Sequence, residues 1–252
     1  MLKKILVLLM LLMPGLASAD NSFYAKIGLG YIKPNEKSAY KNNSGKHHNN
    51  SFFRNDFLFD LGLGYQVSDA IEVGLTFQHG KSKLNAGSLG NYAYPITTVN
   101  MSGFPIRVAC TPFSASKLKI STTAVLASVN YNLGKIYNFS PYIFAGAGMA
   151  RHKYRSADSQ VNCLEEISNA YRAVDYKIPG KVHNNFAWSV GVGGQLPINE
   201  QLYLDLALRY YDYGQIKAEN KKYVNSMMID NVGTAKIKIK GAMFLVGITV
   251  KF

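Results

Sequence analysis

From Gly241 to Phe252 the chain sets Ala242, Phe244, Val246, Ile248, Val250 and Phe252 at every second position, with Gly247, Thr249 and Lys251 between them. Period two is the period of an extended strand, so one face is apolar throughout and the other turns small or polar from Gly247 on. A strand greasy on one side that runs to the last residue suits the wall of a membrane barrel, whose outward face meets lipid. An ordinary core strand at a chain end would carry the same pattern, so the remaining segments decide.

The alternation recurs along the chain. Phe23, Ala25, Ile27, Leu29 and Tyr31 oppose Tyr24, Lys26, Gly28 and Gly30 over Tyr24–Lys33. Phe57, Phe59, Leu61, Leu63 and Tyr65 oppose Leu58, Asp60, Gly62 and Gly64 over Asp56–Val67. After a short Ser68-Asp69 turn, Ile71, Val73, Leu75 and Phe77 oppose Glu72, Gly74, Thr76 and Gln78, which reads as a hairpin. Further strands are expected over Lys119–Tyr131, Pro141–Arg151, Asn185–Leu196 and Gln201–Tyr213, with the terminal strand as the eighth. The segment Pro141–Arg151 is apolar on both faces, so its orientation stays open. Several greasy faces end in an aromatic, as interfacial girdles require.

Connection lengths alternate. Ser68-Asp69, Asn132–Ser140 and Pro197–Glu200 are short, whereas Pro34–Arg54, His79–Lys117, Arg151–Asn184 and Gly214–Lys236 are long. Loops of that length are uncommon in compact soluble domains. Short turns alternating with long loops predict an all-β fold: an eight-stranded antiparallel transmembrane β-barrel, an up-and-down meander with four long extracellular loops and short periplasmic turns. Lys3 and Lys4, the apolar stretch Ile5–Leu16 and Ala17-Ser18-Ala19 predict a cleaved signal peptide over residues 1–19, leaving 20–252 as the barrel domain. The series Lys236, Lys238, Lys240 breaks the apolar rule for outward positions, either because it lies beyond the lipid or because a bulge near Gly241 resets the register.

Charge is unevenly distributed. The formal net charge is +13, and +11 without Lys3 and Lys4. The four long connections hold 18 Lys/Arg and 7 Asp/Glu, which accounts for all of the remaining +11. Cationic loops outside a cell suit a host protein, an anionic glycan or lipid phosphate. The expected partners are therefore outer-membrane lipid and an anionic host ligand, with no nucleic acid, and the barrel is expected to be a monomer. The candidate ligand-binding cations are Lys81, Lys83, Arg107, Arg155, Arg172, Lys177, Lys217, Lys221 and Lys222. Lys26, Asp60, Glu72, Asp205 and Arg209 fall on the inward face, where a low dielectric obliges them to pair, so a plugged lumen is expected. Gly-x-Gly elements such as Gly62-Gly64 lie inside strands, and small-barrel packing explains them better than phosphate cradling.

Cys110 and Cys163 fall in two of the long connections; they form a disulfide in an oxidising exterior or stay as two distant thiols. His47-His48 has no second ligand pair at metal spacing, and no cofactor is expected. His79, Ser82 and Glu165 are the only grouping that suggests a lipid-modifying catalytic site, and no hydrolase or metalloprotease motif accompanies them, so an enzyme is not expected. A structural barrel or narrow pore remains an alternative, with a lipid A-modifying enzyme more remote.

Four segments carry a family likeness: Phe23–Tyr31, Pro141–Gly148, Phe186–Gly193 and Leu208–Gly214. With the terminal Phe252, which resembles the C-terminal signal for barrel insertion, they make the chain similar to the opacity/OmpA-like small outer-membrane barrels. The Asn- and Lys-rich connections resemble those of the rickettsial Adr-type surface adhesins. That resemblance implies an adhesin contacting host-cell or serum proteins such as vitronectin.

Overall fold

The computed structural model describes the backbone of residues 23–34, 39–42, 47–48, 56–85, 96–99, 105–110, 117–165, 171–224 and 227–252. The leader expected over residues 1–19 lies outside them. Fourteen strands are present among the described residues: β1 Phe23–Pro34, β2 Ala39–Asn42, β3 His47–His48, β4 Asp56–Gln66, β5 Ile71–Asn85, β6 Ile96–Val99, β7 Pro105–Cys110, β8 Lys117–Asn132, β9 Ser140–Tyr154, β10 Ala157–Glu165, β11 Tyr171–Ile178, β12 Lys181–Pro197, β13 Leu202–Val224 and β14 Met227–Lys251.

Eight of these form the wall, in the order β1-β4-β5-β8-β9-β12-β13-β14, each antiparallel to the next. The ring closes because β14 pairs back onto β1 from Tyr24↔Lys251 to Pro34↔Gly241. The Phe252 N–H then donates to the Phe23 carbonyl at 2.9 Å, so the last residue is part of the seam. Closure leaves no unpaired edge, which a sheet in hydrocarbon cannot tolerate. The short turns are held locally: the Ile71 N–H donates to the Ser68 hydroxyl, and Asn199 Oδ1 accepts the N–H groups of Gln201 and Leu202.

The alternation sorts residues to two surfaces. Leu29, Phe57, Leu63, Leu75 and Phe186 point outward and are 61–71% exposed, which in water would be a large unfavourable apolar surface. Across β5, β8, β9 and β12 the register aligns four outward rows of apolar residues. They run from Ile71–Tyr131–Ile143–Val192 at one end to Phe77–Val125–Met149–Phe186 at the other. At two residues per row this belt is about 20 Å long along the strands, the lipid-facing part of the wall.

The inward surface is buried and mixed. On β9 the orientation left open by its sequence is resolved: Tyr142 and Phe144 are buried inside, and Ile143 and Met149 face out. Both faces are apolar because β9 supplies the lumen's aromatic filling as well as part of the lipid belt. Tyr24 and Tyr142 fit because their neighbours are glycines; a Cβ on Gly64 or Gly74 would strike Tyr24, and one on Gly193 would strike Tyr142. The core cluster continues upward through Ile120, Tyr154, Ile216 and Ile237, which fill the upper end of the described lumen.

The connections differ from the expectation of long loops. The segment Gly214–Lys236 is mostly strand: β13 and β14 stay paired as far as Val224↔Met227, beyond the barrel. Polar side chains hide the alternation there, while Ile216, Ile237 and Ile239 bury its inward face. No bulge resets β14 near Gly241, where pairing with β1 is continuous through Lys33↔Ala242. The irregularity lies on β13, between Asp212 and Gln215, at Gly214 with φ +83. That left-handed conformation favours glycine, and the Asp212 carboxylate accepts the Gly214 N–H at 2.9 Å.

Candidate functional site

Two sets of charged residues stand apart. The first fills the lumen. Lys26 Nζ lies 2.7 Å from Asp205 Oδ1, and the Tyr142 hydroxyl donates to the same oxygen at 2.8 Å. Gln195 and Thr249 reach the other Asp205 oxygen at 3.5 Å. Towards the short-turn end, Glu72 accepts from Lys251 Nζ at 2.7 Å and from Asn130 at 3.1 Å. On the far side of Asp205, Arg209 stacks 3.6 Å from the Phe144 ring, with Nη1 4.0 Å from Asp60. Asp60 in turn accepts from Gln78 at 2.7 Å, and the Tyr213 hydroxyl donates to Gln78 Oε1. All five sequence candidates, Lys26, Asp60, Glu72, Asp205 and Arg209, face inward, and Lys251 joins them. Lys251 occupies an inward position of the terminal strand, so its parity could have identified it. His152 is fully buried, bonded to Thr122 at 2.9 Å and to the Tyr213 carbonyl at 2.7 Å.

The second set lies beyond the barrel. There β13 passes its register to β11, β11 pairs β10, β10 pairs β7 and β7 pairs β6, while β14 carries β2 and β3 on its other side. The outer segments thus form a sheet rooted on the β13–β14 extension. Of the candidates, Lys81 and Lys83 lie on β5, Arg107 on β7, Arg172 and Lys177 on β11, and Lys217, Lys221 and Lys222 on β13. Only Arg155 sits in a link, between β9 and β10. Eight of these nine cations therefore belong to strands, which fixes their spacing to the sheet register.

That register sets like charges opposite each other. Lys177 is the direct partner of Lys221, with Asp158 across from it on the other side; Lys217 is the partner of Lys236, and Lys83 of Lys119. Directly opposed like charges destabilise a sheet, and an anion between them removes the cost. Lys221 stands in the same strand as Lys222, whose partners are Tyr176 and Asp230. Backbone pairing also sets Cys163 directly opposite Cys110, with Arg172 across Cys163 on the other side.

The residues of the suspected catalytic grouping are not brought together in a useful way. His79 faces outward and bonds Thr123 at 2.9 Å, whereas Ser82 is on the inward parity of β5. Glu165 ends β10 opposite Val108. No group of three His, Cys, Asp or Glu residues suited to a metal occurs among the described residues.

Residues 5–252 match the model of the family described as outer membrane protein beta-barrel domain, and the chain belongs to that family. It is 24% identical over 137 residues to the outer membrane protein PagN of Salmonella typhimurium, a match covering 54% of this chain and 52% of PagN. The chain thus spans about half the length of that curated relative. Among solved structures, the outer membrane protein OprG from Pseudomonas aeruginosa is 13% identical with a TM-score of 0.49, covering 92% of this chain and 95% of OprG. Neisserial surface protein A is 14% identical with a TM-score of 0.42, covering 91% and 97%. The protein is a multi-pass component of a bacterial outer membrane.

Proposed function

We propose that this outer-membrane barrel is a surface adhesin that holds an anionic host ligand, protein or glycan, on the cationic sheet above its wall. The observation that carries the reading is the opposition of lysines above the wall, Lys177/Lys221 and Lys217/Lys236. A sheet under no demand for an anion gains nothing by opposing lysines in two places. Arg107, Arg155, Arg172 and Lys222 add charge on the same side of the barrel. The resemblance of the connections to Adr-type adhesins supports the same reading and suggests a vitronectin-like serum protein. The barrel acts as a monomeric scaffold, inserted after removal of a leader over residues 1–19 and guided by the terminal Phe252. A disulfide between Cys110 and Cys163 ties β7 to β10 and keeps the lysine pairs in register.

The test is display on a bacterial surface followed by host-cell adhesion at low and high salt. Adhesion falls as salt rises, because exposed charges are screened. Charge reversal of Lys177 with Lys221, and of Lys217 with Lys236, lowers it at every salt concentration. Adhesion indifferent to both salt and reversal would sink the proposal.

A further inference from the structure

The four-strand belt formed by β5, β8, β9 and β12 ends abruptly. Beyond its last apolar row the outward register reads His79–Thr123–Arg151–Asn184, then Lys81–Ser121–Lys153–Val182, with Lys119 above. Lys81, Lys119, Arg151 and Lys153 are exposed and point sideways from the wall, not upward into the sheet beyond it. No acidic residue occupies an outward position of these four wall strands among residues whose side chains are described. Elsewhere on the rim the charge is offset, as where Lys240 has Asp212 as its cross-strand partner.

We infer that this patch is a binding site for the phosphate groups of an outer-leaflet glycolipid. Three observations converge. The row that starts the patch is one strand pleat from Phe77, Val125, Met149 and Phe186, so acyl chains lying on the belt deliver their headgroup to Arg151. Arg151 offers a planar fork that matches a phosphate, and Lys153 and Lys81 lie one row further out, across Ser121. Thr123 and Ser121 lie between the cations as small hydroxyl donors. Charge complementarity and continuity with the lipid-facing belt favour lipid phosphate over a soluble polyanion, which would approach from above. The site is independent of the adhesin reading, since it requires only that the belt lie in the outer membrane.

The test uses the full mature barrel refolded in neutral detergent, with native mass spectrometry reading the lipid retained. The probes are bisphosphorylated lipid A, the same lipid enzymatically dephosphorylated, inorganic phosphate and heparin. The wild type retains the phosphorylated lipid in preference to the dephosphorylated one. Combining Lys81→Gln, Arg151→Gln and Lys153→Gln reduces retention on the order of 100-fold, since each cation near an anionic surface contributes roughly a fivefold factor. Lys135→Gln, in the turn between β8 and β9 at the other end of the barrel, changes nothing. The folded band of an unheated gel verifies that each variant forms a barrel. Equal retention of the two lipids, retention untouched by the triple substitution, or displacement of the lipid by inorganic phosphate or heparin at equal concentration would each overturn the site.

Discussion

Lys26 and Lys153 are lysines on wall strands of one barrel, and their surroundings are opposite. Lys26 faces inward with Asp205 at 2.7 Å and Tyr142 and Thr249 bonded to the same carboxylate. Lys153 faces outward with Ser121 and Val182 as its cross-strand neighbours and no acidic partner among the described residues. Inside, the low dielectric makes an unpaired charge prohibitively costly, so the chain supplies both signs and the lumen is neutralised within itself. At the rim and in the sheet above, water solvates a lone cation cheaply. Charge there is only partly offset within the molecule, as by Asp212 across from Lys240 and Asp230 across from Lys222, and the surplus is neutralised from outside.

Removing one member of a lumen pair should break this contrast most severely. Asp205→Ala strands Lys26 in the buried interior and is expected to cost about 3–5 kcal/mol, measured by urea unfolding of the refolded barrel in detergent. Replacing both partners, as Lys26→Met with Asp205→Leu, should restore most of that stability; a double variant as unstable as Asp205→Ala would mean the pair is itself net stabilising. Lys251→Ala should cost less than Asp205→Ala, on the order of 1–3 kcal/mol, because Lys251 is 17% exposed and water partly replaces it beside Glu72. On the outer sheet the sign should invert. Lys221 faces Lys177 on one side and Asn231 on the other, so Lys221→Glu turns an opposed like pair into an opposite one and should leave stability unchanged or raise it by a few tenths to about 1 kcal/mol. The same change should weaken binding of the anionic ligand, read by surface adhesion. Smallest of all is the effect of a reductant on the wall: reduction of a Cys110–Cys163 bridge should alter mobility on a non-reducing gel and loosen the outer sheet, with urea unfolding of the eight wall strands unmoved.

The eight wall strands were legible because lipid outside and packed side chains inside impose one binary pattern on every strand. Phe23 to Tyr31 needs no neighbour to show which residues face out. The lumen candidates followed from the same parity, since a charge at an even position of β1 or an odd position of β13 has nowhere else to point. Where both faces are apolar, as on β9, the pattern loses its contrast and only packing against Gly193 and its neighbours orients the strand. The outer strands were hidden for the converse reason: β6, β7, β10 and β11 mix polar and apolar residues without a lipid-facing run, so they read as loop.

The sequence by itself determined what the membrane requires: eight amphipathic strands, an apolar outer surface, inward charges of both signs and a surplus of cations in the long connections. Tertiary structure decided what depends on register between distant segments. That lysines stand opposite lysines, that Cys163 meets Cys110, and that Lys81, Arg151 and Lys153 share one patch are facts of strand pairing across the closed ring. Local composition fixes which face a residue takes, because that depends on its own solvent. Its neighbour on the next strand depends on how far each chain slides before its hydrogen bonds close, and no short stretch of sequence contains that information.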